Sequence, residues 1–270
     1  MILYKYLPLS WVEDQPDEQQ DLFLKRCQCI RDDQFWFSKP YRLNDPYDCR
    51  PFFRISKSLG SISAILDGMT PEEVAMVLKR FPTCAKKEDI YRLLERIVSS
   101  TNTADSTKNF VMWPLQSIAS AIVNAKLTNI GVLSFTENPK NIVMWAQYAS
   151  NHKGVCIEVD IPKNTRSLKK VTYTTQQPEF EVYEAMDERH GRLFDLFYTK
   201  STHWSSEAEW RMVMIEGGEA KTIPGAVVSR IIYGINASSE TKEKVTELVG
   251  KDTPASQLRM ERNYGLSWDS

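Results

Sequence analysis

The stretch Trp204-Ser-Ser-Glu-Ala-Glu-Trp-Arg211 runs directly into the apolar segment Met212-Val-Met-Ile215. In an extended chain successive side chains point to opposite faces, so Glu207, Glu209 and Arg211 are expected on one face, with Trp210, Met212 and Met214 on the other. Like charges two positions apart repel unless a cation or a ligand sits between them. The row therefore predicts a strand with an apolar back and either an active-site edge or a solvated charge row in which Arg211 pairs with a glutamate.

Other strand patterns surround this one. Ile2-Leu-Tyr-Lys-Tyr6 and Phe35-Trp-Phe-Ser38 are short aromatic strands, and Gly131-Val-Leu-Ser-Phe135 and Gly154-Val-Cys-Ile-Glu-Val159 are apolar ones. Further strands are predicted near 169–174 and 229–235. Helices are predicted over about 16–31, begun by Pro16, and over 139–150, 179–200 and 238–249. For the helix at 139–150, Asn138 is the expected N-cap and Pro139 the first residue.

Residues 56–129 differ in character. Thr70-Pro-Glu-Glu73 is a strong helix start, and amphipathic helices are predicted near 71–80, 88–100 and 110–127. We expect a single α+β domain over 1–270, with a mixed, bent β-core and 56–129 as a helical insertion.

With 34 basic and 35 acidic residues, no global field recruits nucleic acid or an anionic membrane. The apolar runs fall short of the roughly 20 residues that span a bilayer, and the expected location is cytoplasmic. Five cysteines, with no C-x-x-C spacing, argue against a disulfide framework or a zinc site. His152, His190 and His203 are too scattered to suggest metal by spacing, and no Gly-rich phosphate loop or G-x-S-x-G element is present.

Four groups of motifs, in order, carry a resemblance: Leu3-Tyr-Lys-Tyr6; Trp36-Phe-Ser-Lys-Pro40 with Asn44-Asp-Pro-Tyr-Asp48; Ser134-Phe-Thr-Glu137 with Met144-Trp-Ala-Gln-Tyr-Ala149 and His152-Lys-Gly154; and Trp204 to Arg211. Together they resemble the bacterial family catalogued as domain of unknown function 2971, from residue 3 to about 236. The arrangement is also similar to the ADP-ribosyltransferase superfamily, particularly the DarT-like DNA-modifying toxins. In that superfamily an early strand holds the cofactor, a middle strand carries an aromatic or Ser, and a late strand carries a catalytic Glu. Tyr4-Lys-Tyr6, Phe37-Ser38 and Glu207-Ala-Glu209 occupy those places here. Lys5 or Tyr6 stands where an Arg or His is usual, and no Ser-Thr-Ser triplet follows the second strand.

The resemblance implies an NAD-dependent ADP-ribosyltransferase or NAD-cleaving enzyme of toxin or phage-defence type, with a nucleic-acid or protein acceptor and without metal. Glu209 would stabilise positive charge on the ribose, and Glu207 would orient or deprotonate the acceptor. Tyr4, Lys5 and Tyr6 would clasp the dinucleotide, Lys5 and Arg211 facing its pyrophosphate. Their alternative is an ordinary strand with core aromatics.

Trp145, Tyr148 and His152, spaced i, i+3 and i+7, would offer a stacking face for a base, with His152 at an exposed helix end; their alternative is packed core. Asn44 and Asp45 read as turn formers, Asp48 as an open candidate. The expected cleft joins Tyr4 or Lys5, Ser38, Asp48, Trp145 and Glu209. Two rival functions are a non-catalytic nucleotide- or protein-binding module and a nuclease using Asp45, Asp48, Glu207 and Glu209 around a divalent cation.

Overall fold

The computed structural model of the chain describes residues 1–12, 16–54, 58–181, 192–250 and 252–268. These form a mixed α+β protein whose strands and helices fall into two compact units. The first unit is Met1–Arg42, Ile130–Tyr173 and Lys200–Ser270, and the second is Leu43–Asn129 and Thr174–Thr199.

The first unit is built on a seven-stranded sheet. Its members are β1 (Ile2–Leu7), β4 (Gly131–Thr136), β5 (Val155–Asp160), β6 (Leu168–Lys170), β10 (Glu209–Met214), β12 (Val227–Tyr233) and β13 (Ala255–Gln257), in the order β13-β12-β5-β1-β4-β10-β6. β13 runs parallel to β12 and the other pairs are antiparallel. Val, Ile and Tyr dominate β12, and apolar residues make up half or more of β4 and β5, as a pleated surface buried on both sides requires.

Alternation divides these strands between two faces. Leu3, Leu133, Phe135, Ile157, Met212 and Ile231 meet Phe23, Cys27 and Ile30 of α1 (Asp17–Arg31), with Val245 and Val249 from a later helix, Ser239–Val249. On the other face Tyr6, Cys156 and Ile232 meet Met144, Trp145 and Ala149. The polar members of β4 and β10, Ser134, Thr136, Glu209 and Arg211, fall by the same alternation on this second face.

β2 (Gln34–Phe37) pairs with β11 (Glu219–Thr222), a strand absent from the sequence expectation. Its Glu-Ala-Lys-Thr composition carries no apolar alternation, and it is held as an edge partner of the aromatic β2. β7 (Thr172–Thr174) pairs with β9 (Thr199–Ser201), and β14 (Arg259–Met260) with β15 (Leu266–Ser267).

In the second unit β3 (Phe52–Arg54) runs parallel to β8 (Glu179–Glu181), beside the helices α2 (Leu59–Asp67), α3 (Pro71–Leu78), α4 (Lys87–Ser99) and α5 (Asp105–Leu127). Thr70 and Glu73 form the reciprocal capping box that Thr70-Pro-Glu-Glu73 predicts. α2 is an addition to the expected helices. Gly60, Ser61 and Ser63 are poor helix formers, but Ser58 caps the first turn and Ile62, Ile65 and Leu66 are buried.

Two helix expectations are corrected. The helix after β4, α6, spans Ile142–Tyr148, and its cap is Asn141, whose Oδ1 accepts from the amides of Val143 and Met144 at 2.9 and 3.2 Å. Asn138 instead accepts from the Lys140 amide, and the Pro139 carbonyl accepts from the Trp145 indole. The continuous helix expected over 179–200 is also replaced. Residues 179–181 are strand, Arg192–Asp195 is one turn, α7, and Leu196–Tyr198 is a 3-10 turn, while 182–191, with His190, lie outside the described residues. Ser239–Val249 is then α8, capped by Ser238. No helix among the described residues is long and apolar enough to cross a membrane.

Candidate functional site

Three adjacent strands bring Tyr4, Thr136 and Glu209 into one row: Tyr4 stands opposite Thr136 across β1 and β4, and Thr136 opposite Glu209 across β4 and β10. β1 and β4 are in register only at Tyr4, whereas β1 and β5 pair along the whole of β1. Into the resulting seam Lys5 sends its ammonium, which donates to the Ser134 carbonyl at 3.1 Å.

Glu207 does not belong to the strand, which corrects the simple alternation. It ends a 3-10 turn over Thr202–Glu207, and Ala208 follows with φ of 45°, a left-handed conformation that costs an alanine roughly 1–2 kcal/mol. The turn is held by the Thr136 hydroxyl, which donates to the Glu207 carbonyl at 2.5 Å, and by the Glu137 amide, which donates to the Ala208 carbonyl. Ala208 thus re-aims Glu207 while leaving it beside Glu209.

A residue from another strand joins the two carboxylates. Lys200, on β9, donates to Glu207 Oε2 at 2.5 Å and to Glu209 Oε2 at 3.0 Å. Its ammonium also lies 5.0 Å from the Trp204 ring centroid, a cation–π contact. Arg211 holds Glu209 from the other side in a fork, Nε to Oε1 at 2.7 Å and a terminal nitrogen to Oε2 at 3.1 Å. The Tyr148 hydroxyl donates to Glu207 Oε1 at 2.7 Å, and the Glu209 amide donates to the Tyr173 hydroxyl at 2.9 Å.

This is a buried, charge-balanced cluster. Relative exposures are 6% for Lys200, 4% for Glu207, 3% for Glu209 and 1% for Arg211, which overturns the solvated reading of the charge row. Burial alone would raise the Glu209 carboxyl; the charges of Arg211 and Lys200, with hydrogen bonds from Arg211 and Ser134, hold it at about 2. Burial likewise opposes the Lys200 ammonium, but Glu209 and Glu207 keep it above its ordinary value. Lys5 has less support. Burial lowers it to about 8, against the pull of Glu209.

The sign of the pH response follows. Glu209 is far below its ordinary 4.5, so its contribution to stability is present above pH 4.5 and lost as pH falls toward 2. Melting temperature measured against pH is expected to drop through that window more steeply for the wild type than for Glu209→Gln. Acid limbs of equal slope would contradict the assignment.

The remaining candidates divide. Tyr4 is half-buried and donates to Glu158 Oε2 at 3.1 Å; burial and the Glu158 charge raise its hydroxyl to about 12. Tyr6 is buried, donates to the Asn138 carbonyl and meets Trp145 edge-on with ring centroids 5.1 Å apart. Trp145 is fully buried, so it offers no stacking face.

Trp145, Tyr148 and His152 do not share one helix face, because the helix ends at Tyr148 and Ser150, Asn151 and His152 are all left-handed. His152 instead stacks near Trp145, with rings 12° from parallel, and burial lowers its pKa, contrary to an exposed histidine titrating near neutrality. Gly154 and Gly234 permit this turn, since a Cβ on either would strike backbone, the Leu7 carbonyl for Gly154 and the His152 carbonyl for Gly234.

Ser38 exchanges backbone hydrogen bonds with Val132. Val132 is four residues along β4 from Thr136, roughly 13 Å from the Glu209 end. Asp45 and Asp48 belong to the second unit. Asp45 accepts from the Tyr47 amide, as a turn former does, and Asp48 is buried with Cys49 Sγ 3.4 Å from its carboxylate.

The structure adds Lys200, Tyr173, Ser134 and Thr136 to the site. Lys200 and Tyr173 sit on three-residue strands, too short to show a period, and the Lys200 segment reads as the tail of a helix. The alternation of Leu133-Ser-Phe-Thr136 was the available signal for Ser134 and Thr136.

A family described as a protein of unknown function, DUF2971, matches residues 144–212. The matched span contains Tyr148, Tyr173, Lys200, Glu207, Glu209 and Arg211, and so most of the cluster. No curated protein and no solved structure matches the chain.

Proposed function

We propose that the seam between β1, β4 and β10 binds NAD and cleaves its nicotinamide–ribose bond, passing the ADP-ribose to water or to a nucleic-acid or protein acceptor. The observation that carries this reading is one buried carboxylate, Glu209, that Arg211 and Lys200 hold ionised, with Glu207 sharing the Lys200 ammonium and Lys5 within the reach of its charge. As the glycosidic bond breaks, its electron pair leaves with nicotinamide and positive charge develops on the ribose. A fixed anion there lowers the barrier without reorganising.

Arg211 fixes Glu209 from the side of the strand, and Lys200 is the partner that a ligand would draw away toward its pyrophosphate. Glu207, released by the same movement, then accepts the proton of the attacking acceptor. Lys5, already partly deprived of solvent, supplies a second cation. The resemblance to ADP-ribosyltransferases supports the same assignment of the late Glu-x-Glu pair.

The nuclease reading is weaker. Lys200 occupies the place between Glu207 and Glu209 that a divalent cation would need. A non-catalytic binding module is the second reading, favoured by the complete pairing of Glu209 with Arg211 and Lys200.

A melting series separates the two NAD-binding readings from the nuclease, and nicotinamide release then separates the enzyme from the binding module. NAD and ADP-ribose at a hundred times Kd are expected to stabilise the protein by about 2.7 kcal/mol. The shift should be lost in Lys5→Met and independent of magnesium or manganese. Stabilisation by manganese and none by NAD would contradict the proposal.

A further inference from the structure

The row of side chains that starts at Glu209 does not stop at Tyr4. Tyr4 stands opposite Glu158 on β5, and Glu158 opposite Arg230 on β12. One row on the second face of the sheet therefore runs Glu209, Thr136, Tyr4, Glu158, Arg230 across five adjacent strands, all within the first unit. The rows on either side of it differ. On one side Tyr6, Cys156 and Ile232 are buried, and on the other Ile2 and Val227 are half exposed beside the exposed Asp160. The polar row thus lies where the covered part of this face gives way to solvent. Thr136 and Glu209 are enclosed, whereas the side chains of Glu158 and Arg230 are 19% and 25% exposed.

Glu158 keeps room for a ligand. The Tyr4 hydroxyl donates to its Oε2 at 3.1 Å and the Ser229 hydroxyl to its Oε1 at 2.9 Å. Ser229 is the extra residue of a bulge in β12, between Val228 and Arg230, which is why its hydroxyl is turned onto the carboxylate. Arg230 Nε lies 3.9 Å from Oε1, beyond hydrogen-bond distance, and the guanidinium donates to Ser256 Oγ at 3.1 Å instead. A carboxylate accepts about four hydrogen bonds, two on each oxygen. Each Glu158 oxygen takes one from a neutral hydroxyl, so one lone pair on each is left, and a cis-diol donates once to each.

From this geometry we infer that Glu158 binds the 2′- and 3′-hydroxyls of the adenosine ribose of NAD and excludes a phosphate at the 2′ position. The inference rests on the reading of Glu209 as the group at the nicotinamide ribose. Neighbouring strands lie about 4.8 Å apart, so Glu158, three strands from Glu209, is roughly 14 Å away along the row. The two riboses of a dinucleotide drawn out across its pyrophosphate stand a comparable distance apart. Thr136 and Tyr4 then lie beneath the pyrophosphate, and Arg230, one strand further, offers a flat guanidinium to the adenine. A carboxylate on the ribose hydroxyls is the device by which dinucleotide-binding folds select NAD over NADP, because a 2′-phosphate meets a like charge there.

Titration calorimetry of the full chain with NAD, NADP and nicotinamide mononucleotide, which lacks the adenosine half, tests this. The wild type is expected to bind NAD at least about tenfold more tightly than NADP. Glu158→Gln keeps the size of the side chain but removes its charge, so it should weaken NAD about tenfold and bring NAD and NADP within about twofold of each other. Nicotinamide mononucleotide should bind the variant and the wild type equally. An NAD analogue carrying 2′-deoxyadenosine reads the same contact without a substitution, and the wild type should bind it about tenfold more weakly than NAD. NADP binding as tight as NAD, or NAD affinity unchanged by both Glu158→Gln and the missing 2′-hydroxyl, would overturn the inference and leave the nicotinamide end standing. A chain that binds neither NAD nor nicotinamide mononucleotide would overturn both.

Discussion

Replacing Arg211 by methionine is expected to destabilise the protein by about 3–5 kcal/mol, the range for removing one partner of a buried ion pair. Methionine fills most of the guanidinium's space, so the loss is electrostatic. Glu209 would keep only one of its two cations, at 3% exposure, and Lys200 would be left to serve both carboxylates. Urea denaturation measures this directly. The double variant Arg211→Met with Glu209→Leu should recover most of the loss, because it leaves Lys200 and Glu207 as a balanced pair and puts apolar groups in the vacated space. By contrast, breaking the half-exposed pair of Lys170 and Glu137 should cost no more than about 1 kcal/mol, although its 2.7 Å separation is just as short. If the two losses were equal, burial would not be what makes the cluster matter.

Glu209→Gln is the second large effect. The amide keeps the size of the carboxylate but removes the charge that opposes the developing ribose cation, so nicotinamide release from NAD should fall at least about a hundredfold. The substitution also leaves Arg211 less compensated, and a lower melting temperature is expected alongside the loss of rate. Assays therefore belong well below the melting range of the variant, with NAD affinity measured in parallel. Affinity that is nearly unchanged, with turnover gone, separates a catalytic carboxylate from a purely structural one.

The main strands were legible because their periods are long enough to read. Ile2 to Tyr6, Gly131 to Phe135, Gly154 to Val159 and the run after Trp210 all form sheet strands. The Glu209 and Arg211 pairing followed from spacing two in a strand. What escaped was non-local. Lys200 reaches the carboxylates from a three-residue strand, Ala208 turns left-handed against the pattern, and β11 pairs by position without an apolar signature. Trp145 and His152, seven residues apart, share a face only on a helix that continues to residue 152, and this helix stops at Tyr148.

The most direct measurement is proton NMR of NAD incubated with the full chain, alone and with nucleic-acid and protein acceptors, following free nicotinamide. Cleavage of NAD at Glu209 predicts nicotinamide release by the wild type, none above background by Glu209→Gln, and no dependence on added divalent metal. NAD that remains intact with every acceptor, together with no NAD-induced shift in melting temperature, would contradict it.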